Sequence, residues 1–436
     1  MVKKLQKHIA SNFSFLADKK LLLAVSGGID SVVLAHLFNQ LKYNISIAHC
    51  NFKLRGAESD KDEVFVSNLG KQLNSPMYSK QFQTKKYEKE HKVSTQIAAR
   101  NLRYSWFQDL INQHHFDYLI TAHHADDNLE TFIINLSRGT GLSGLTGIPA
   151  INNHIIRPLL PFSREEIYIY ATKNSIVWRE DESNSSNAYV RNKIRHQVIP
   201  VLKELNPNLL ASFQKTTEHL SGSQHIIKTT IDEFKKKNLV KEDDCYSINI
   251  RSIKQLEKPK PYLYELLREF GFSEWNDVHN LLQAQSGKIV YSKTHRLIKD
   301  RESILLTSLK KEEKTSEYVI DNQTKKITIP IPLSFEKSEE NFKKHPASIA
   351  LDFDVLSFPL TLRKWVKGDY FYPEGMDGKK KLSKFFKDEK FSLLEKENTW
   401  VLCSRNEIIW VVNHRLDKRY LATNTTKRFF HIKLLP

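Results

Sequence analysis

Cysteine is scarce in this 436-residue chain: Cys50, Cys245 and Cys403 are odd in number, far apart and form no Cys-x-x-Cys pair. That argues against a disulfide framework, a zinc site and a redox dithiol, and fits a reducing, cytoplasmic setting. Long apolar runs are lacking too. No stretch of eighteen or more apolar residues occurs, so no membrane partner is expected. Met1 to Lys7 is basic but leads into no apolar signal core before Leu21, which argues against secretion. Acidic residues are in deficit, with 50 Asp and Glu against 67 Lys and Arg, a formal charge of +17. A cationic surface speeds encounter with polyanions and gains from counterion release, so nucleic acid is the expected class of partner. Solubility alone is the bland alternative.

What is present divides into three textures. Leu21 to Val25 is a short apolar run, a glycine turn follows, and Val33, Leu34, Leu37, Phe38 and Leu41 then recur at helical spacing. Strand-like Ile45–Ala48, a helix face at Ala99, Leu102, Trp106 and Leu110, and strand-like Tyr118–Thr121 continue the alternation. Such alternation predicts an α/β fold with a doubly wound, Rossmann-like parallel sheet over residues 1–207. Helix formers dominate roughly 208–237 and 258–284, predicting a helical middle domain over 208–315. From about Ser286 the texture changes to short strand-like runs, among them Lys326–Ile331 and Val401–Val412, which predict a small α+β domain over 316–436, entered through polar Lys310–Glu317.

Ser26-Gly27-Gly28-Ile29-Asp30-Ser31 lies between the first strand and its helix. Two glycines let backbone N–H groups approach phosphate oxygens, and the helix directs its positive end at them. The string is neither the mononucleotide P-loop nor the dinucleotide fingerprint. Ser26 and Ser31 can donate hydroxyls to phosphate, and Asp30 can hold the magnesium that accompanies a triphosphate.

Further runs follow. In Thr121-Ala122-His123-His124-Ala125-Asp126-Asp127-Asn128-Leu129-Glu130-Thr131 a helix starting near Ala125 puts Asp127 and Glu130 on one face with His123 at its entry. Facing acids need a cation between them; N-terminal capping by Asp126 or Asp127 is the plainer alternative. Arg138 to Gly147 holds four of fourteen glycines. Glu180-Asp181-Glu182-Ser183-Asn184 precedes Tyr189 to His196, in which Arg191 and Arg195 lie one helical turn apart and call for an anion. Arg100 and Tyr104 share a helix face suited to a base and its phosphate. Near the other end, Lys379, Lys380, Lys381, Lys384 and Lys387 form a basic strip around Phe385 and Phe386, suited to phosphates with an aromatic contact. A solvated helix face over a buried phenylalanine pair explains the same letters.

The Ser-Gly-Gly-x-Asp-Ser loop resembles the PP-loop family, whose members cleave ATP between the α and β phosphates and form an adenylated intermediate. Joined with the His49–Ser59 stretch, Ala99-Arg100-x-x-Arg103-Tyr104, His-His-x-Asp-Asp-x-x-Glu-Thr, Arg-Gly-Thr-Gly, Glu-Asp-x-Ser-Asn and Arg-Asn-x-Ile-Arg, it resembles the tRNA(Ile)-lysidine synthetase branch over about residues 20–200. Leu362 to Asp369, Pro373 to Met376, Lys379 to Phe386 and Arg415 to Tyr420 are similar to that family's C-terminal module. One departure is His49-Cys50-Asn51-Phe52-Lys53-Leu54-Arg55, where relatives often read His-x-Asn-His-Gly-Leu-Arg. Cys50 reads as a small side chain beside a strand end rather than a nucleophile.

The resemblance implies a two-step reaction on the wobble cytidine of a tRNA(Ile) with a CAU anticodon: its C2 oxygen attacks the α-phosphate of ATP, then the ε-amine of free L-lysine displaces AMP at C2. It implies ATP and Mg2+ as cofactors, with Ala24, Ser26, Gly27, Gly28, Ile29, Asp30, Ser31 and His49 around ATP and the metal on Asp30. Asp30, Arg100, His123, Asp127 and Glu130 are implied in catalysis. Arg100, Tyr104, Arg191, Arg195, Lys379, Lys380, Lys381 and Lys384 are implied in tRNA binding. Lysine brings a protonation problem, since an amine of pKa about 10.4 is neutral about one time in 2,500 at pH 7, costing roughly 4.6 kcal/mol. Asp127 or Glu130 could accept that proton or anchor the α-ammonium. The oligomeric state is open, a homodimer being one option.

Overall fold

Leu21, Leu22 and Leu23 are fully buried in strand β1 (Lys20–Ala24) because this strand is covered on both faces. Successive side chains point to opposite sides: Leu21 and Leu23 join one core with Leu5, Ile9, Val33, Leu37 and Val66, while Leu22 joins another with Trp106, Phe107 and Leu110. The computed structural model describes residues 1–180, 190–242, 245–309, 317–340 and 348–435. Asp181 to Tyr189, which includes most of the acidic Glu-Asp-x-Ser-Asn run, and residues 310–316 of the polar connector lie outside the described residues. The chain forms two compact units, 1–228 and 229–436.

In the first unit β1 is joined by β2 (Asn44–Asn51), β3 (Met77–Gln81), β4 (Tyr118–Ile120), β5 (Ile151–Asn152) and β6 (Ile155–Ile156) in the order β3-β2-β1-β4-β6-β5. All neighbours pair in parallel except β5 with β6. Helices α1 (Val2–Asn12), α2 (Ile29–Gln40), α3 (Ala57–Gln72) and α8 (Arg164–Lys173) supply the first core, and α5 (Thr95–His114) supplies the second. Between these come α4 (Thr84–His91), α6 (Ala125–Ser137) and α7 (Leu142–Leu145), followed by α9 (Val190–Lys193), α10 (Ile199–Leu205) and α11 (Leu209–Asn238). This is the doubly wound sheet that the alternation predicts. The loops after β1, β4 and β6 leave the carboxyl ends of parallel strands, where ligands of such sheets bind.

The middle of the chain is mixed rather than helical, which corrects the expectation for 208–315. Helices α11, α12 (Ile250–Lys254), α13 (Pro259–Leu267) and α14 (Trp275–Asn280) are accompanied by a five-stranded antiparallel sheet of β7 (Leu239–Glu242), β8 (Cys245–Asn249), β9 (Ile289–Tyr291), β10 (His295–Asp300) and β11 (Ser303–Ser308). Leu297, Ile304 and Leu306 turn into a core with Leu263 and Leu267, while on the opposite side of the sheet fully buried Ile298 pairs with half-buried Leu305.

The last part holds two four-stranded antiparallel sheets. One contains β12 (Tyr318–Ile320), β16 (Leu360–Lys364), β19 (Trp400–Ser404) and β20 (Glu407–Val411); the other contains β13 (Lys326–Ile327), β14 (Leu333–Ser338), β15 (Ser348–Asp352) and β21 (Phe429–Leu434). The run Val401–Val412 is thus a hairpin, reversed at Arg405 and Asn406, both at positive φ as a tight two-residue turn requires. A small ribbon of β17 (Tyr370–Phe371) and β18 (Lys380–Lys381) leads into α15 (Leu382–Asp388).

Candidate active site

The loop after β1 is held open toward solvent by its own hydrogen bonds. Gly27 takes φ +97°, a conformation strained for any L side chain, and Gly28 precedes α2 without a side-chain cap. The N–H groups of the first turn of α2 are therefore left for a ligand. Ser31 has a different task from the one expected: its Oγ donates to the Gly28 carbonyl at 2.9 Å and accepts from the Ser26 N–H at 3.1 Å, so it shapes the loop. Ser26 remains exposed at the rim. From the side, the Arg179 N–H donates to the Gly27 carbonyl at 3.0 Å, and the Arg179 guanidinium is anchored on Asp62 and Glu58 of α3.

His49 on β2 is almost fully buried, and its Nδ1 meets the Val25 carbonyl at 2.9 Å. With Nδ1–H donating, Nε2 is an acceptor; it is buried and has no partner. Burial lowers the imidazole pKa, which keeps the ring neutral. Ala24 ends β1 beside this position, and Ile29 opens α2.

Helix α6 begins at Ala125 as the sequence predicts, and Asp127 is part of its cap. His124 is the N-cap: its Nδ1 accepts from the Asp127 N–H at 3.4 Å, and Asp127 Oδ2 accepts from the His124 N–H at 3.1 Å. His124 Nε2 lies 3.4 Å from Asp127 Oδ2 and 3.7 Å from Asp30 Oδ1, linking the acidic helix to the glycine loop. Asp126 instead ties helices together, accepting from the Arg164 N–H at 2.8 Å and pairing with Lys203 at 2.8 Å.

Arg191 and Arg195 find their anion inside the protein. Arg191 Nε is 2.6 Å from Glu130 Oε2 and its Nη2 is 2.7 Å from Asp127 Oδ1; Arg195 Nε is 2.5 Å from Glu130 Oε1. Glu130 is 1 % exposed. Burial works against ionisation of Asp127, yet His124, Arg191 and His123 together hold its carboxyl below the usual range. Asp30 moves the other way: burial raises its pKa despite His124, and its Oδ1 has no hydrogen-bond partner.

His123 leaves the end of β4 with Nδ1 3.0 Å from Thr121 Oγ1, and burial pushes it down to about 4, so the ring is neutral at pH 7. Arg100 and Tyr104 share a face of α5, the guanidinium lying 4.8 Å from the ring centroid. Arg157, which directly follows β6, is 5 % exposed and donates to the Pro149 carbonyl at 2.7 Å.

The basic strip belongs to the second unit. Lys379, Lys381 and Lys384 are exposed there, with Lys379 5.2 Å from the Tyr370 ring centroid, whereas Lys380 is mostly buried and pairs with Asp388 at 2.8 Å. Phe385 and Phe386 are buried among Phe371, Leu382 and Val401. That corrects the aromatic-contact expectation: the pair is core. Cys50 is raised to about 12 by burial, against a nucleophilic role.

His124 and Arg157 carry no assigned role in the sequence motifs. The first had a signal, because His124-x-x-Asp127 has N-cap to N3 spacing. A single arginine between Ile156 and Pro158 offers none.

Residues 1–202 match the family described as a PP-loop domain, which is the class that the open loop and parallel sheet define. Residues 241–310 match the TilS substrate binding domain and 360–433 the TilS substrate C-terminal domain. The tRNA(Ile)-lysidine synthase of Parabacteroides distasonis is 41% identical over 96% of each chain, and that of Bacteroides thetaiotaomicron is 38% identical over 98% of each. The Bacillus subtilis tRNA(Ile)-lysidine synthase is 31% identical, covering 91% of this chain and 90% of its own. The chain belongs to the tRNA(Ile)-lysidine synthase family.

Proposed function

We propose that this protein ligates L-lysine to C2 of the wobble cytidine in a CAU-anticodon tRNA(Ile), using ATP and releasing AMP and diphosphate. The observation that carries this reading is the junction at one sheet edge of an uncapped glycine loop and a buried acidic, histidine-capped helix. In the first step the cytidine O2 forms a bond to the α-phosphorus and the bond to the bridging oxygen breaks, so pyrophosphate leaves. The loop N–H groups stabilise the charge on the phosphates. In the second step the lysine Nε attacks C2, the C2–O bond breaks, AMP departs and the amine loses its proton.

Among the described residues no three His, Cys, Asp or Glu groups form a ready-made metal cage. Mg2+ needs less, because it commonly uses one or two carboxylates together with phosphate oxygens and water. Asp30 fits that part: it offers a buried carboxylate oxygen without a donor at the mouth of the loop. The ion would supply charge neutralisation for the triphosphate.

Asp127 and Glu130 address lysine in this reading. A carboxyl held below its usual range is a poor acceptor for an ammonium proton, so Asp127 favours electrostatic anchoring of the substrate over deprotonating it. A cavity of about 430 Å3 has Glu130, Arg195, Asp126, Arg164 and Lys203 in its wall, a mixed lining that suits a zwitterion.

With lysine omitted, ATP and a CAU-anticodon transcript should yield pyrophosphate and an adenylated RNA that added lysine converts with release of AMP. Pyrophosphate release indifferent to the RNA would contradict the reading. Gly27→Ala tests the loop itself: a Cβ there meets only ordinary contacts, 3.7 Å from Phe65 and Val66, so the whole penalty is backbone strain. About 1–2 kcal/mol of such strain should raise the KM for ATP roughly 5- to 30-fold, and an unchanged KM would show that the left-handed Gly27 is not needed in the bound state.

A further inference from the structure

The cavity beside α6 carries three cations and three anions in its wall. Two pairs are matched within the protein: Lys203 Nζ lies 2.8 Å from Asp126 Oδ1, and Arg195 Nε lies 2.5 Å from Glu130 Oε1. The other two, Arg164 and Glu165, are exposed and have neither an ion pair nor a side-chain hydrogen bond among the described residues. They open α8, yet its cap needs neither of them. Ser163 and Glu166 supply that cap: the Ser163 N–H donates to Glu166 Oε2 at 2.9 Å and the Glu166 N–H to Ser163 Oγ at 3.1 Å. A cation at the first position of a helix also opposes the helix dipole, so helix stability does not account for Arg164.

We propose that Arg164 and Glu165 form the clamp for the head group of the amino-acid substrate, Arg164 receiving its α-carboxylate and Glu165 its α-ammonium.

The rest of the wall suits the rest of a lysine. Tyr168, Ile199 and Pro200 offer apolar surface to its four methylenes, and Glu130, almost fully buried, offers a carboxylate to the far amine. Asp126 sets the spacing. It accepts from the Arg164 N–H at 2.8 Å and lies one turn before Glu130 on α6, roughly 6 Å along the axis, so the start of α8 is held about one lysine side chain from the buried carboxylate. A guanidinium also matches a carboxylate in shape, with two parallel N–H donors for two oxygens. The Arg164 charge is felt at Asp30 as well, which makes a phosphate oxygen the competing anion. This assignment rests on the proposed function, since it takes the cavity as the place where lysine binds.

Competition kinetics on the full chain test it. Cadaverine lacks the carboxylate and 6-aminohexanoate lacks the α-amine, and each is measured as an inhibitor of lysine-dependent AMP release. In the wild type the Ki of either analogue should exceed the KM for lysine roughly 10- to 100-fold, the range for one hydrogen bond to a charged group. Arg164→Gln should raise the KM for lysine by a similar factor and bring the cadaverine ratio to within about threefold of one, while Arg164→Lys should keep part of the preference. Glu165→Gln should abolish the preference over 6-aminohexanoate in the same way. Both positions are exposed, so folding is not at stake. A preference over cadaverine that survives Arg164→Gln, or one over 6-aminohexanoate that survives Glu165→Gln, whether measured or too large to measure, overturns the proposal. So does an equal fall in lysine-independent pyrophosphate release in Arg164→Gln, which would place the guanidinium on phosphate. Wild-type protein without lysine-dependent AMP release would sink the functional reading itself; active wild type with surviving preferences sinks only this clamp.

Discussion

Replacing Asp30 by Asn is expected to slow pyrophosphate release roughly 1000-fold, about 4 kcal/mol of transition-state stabilisation, while leaving the fold intact. Asn keeps the shape at the start of α2 and removes the charge proposed to serve the triphosphate and its metal. The stability side has the opposite sign. Burial raises the folded-state pKa of Asp30 above its unfolded value, so ionisation at neutral pH opposes folding, and removing the charge relieves that cost. Asp30→Asn should therefore melt no lower than the wild type at pH 7. Single-turnover release of labelled pyrophosphate is the measurement, and activity within about tenfold of wild type would remove Asp30 from the chemistry.

Glu130→Ala should damage both folding and the lysine step. The carboxylate is 1 % exposed and receives both guanidinia, so its loss leaves Asp127 alone to neutralise Arg191 and Arg195. Breaking a buried pair in this way costs about 3–5 kcal/mol, which in a unit of this size lowers the melting temperature by roughly 6–20 °C. Removing one arginine as well should restore part of the loss, so Glu130→Ala with Arg195→Ala is expected to be more stable than Glu130→Ala alone. Asp127→Ala loses one half of the α6 capping box while Glu130 still holds both arginines, and should cost less, about 0.5–2 kcal/mol. At a temperature where all are folded, either single carboxylate variant should raise the lysine requirement about tenfold or more while sparing pyrophosphate release. Equal loss of both steps would defeat the assignment of these carboxylates to lysine.

The features legible beforehand are those in which local chemistry dictates residue type. The glycine loop needs a backbone free of Cβ at φ +97°, and three consecutive leucines have no place but a strand covered on both faces. The start of α6 near Ala125 was legible as well, although its N-cap is His124 rather than Asp126 or Asp127. The middle sheet was only partly legible, since strand-like texture begins near Ser286 while β10 and β11 turn at Arg301-Glu302 without the Asn or Gly that tight hairpins favour. The partner of Arg191 and Arg195 hid for another reason: Glu130 and Asp127 lie more than sixty positions away, brought near only by tertiary packing. Sequence called for an anion on that face without identifying it. Phe385 and Phe386 show the limit of local spacing, since a basic strip with aromatics reads alike whether the rings face a base or a core.

As a member of its family this protein joins lysine to a tRNA cytidine at the expense of ATP. The most direct test is to incubate the full-length protein with ATP, Mg2+, lysine and a CAU-anticodon tRNA(Ile), digest the RNA to nucleosides and analyse these by mass spectrometry. One cytidine, at the wobble position, should be replaced by a nucleoside heavier by lysine less one water, and omission of ATP or lysine should prevent this. An unmodified wobble cytidine with ATP cleaved, or a product lacking the lysine mass, would contradict it.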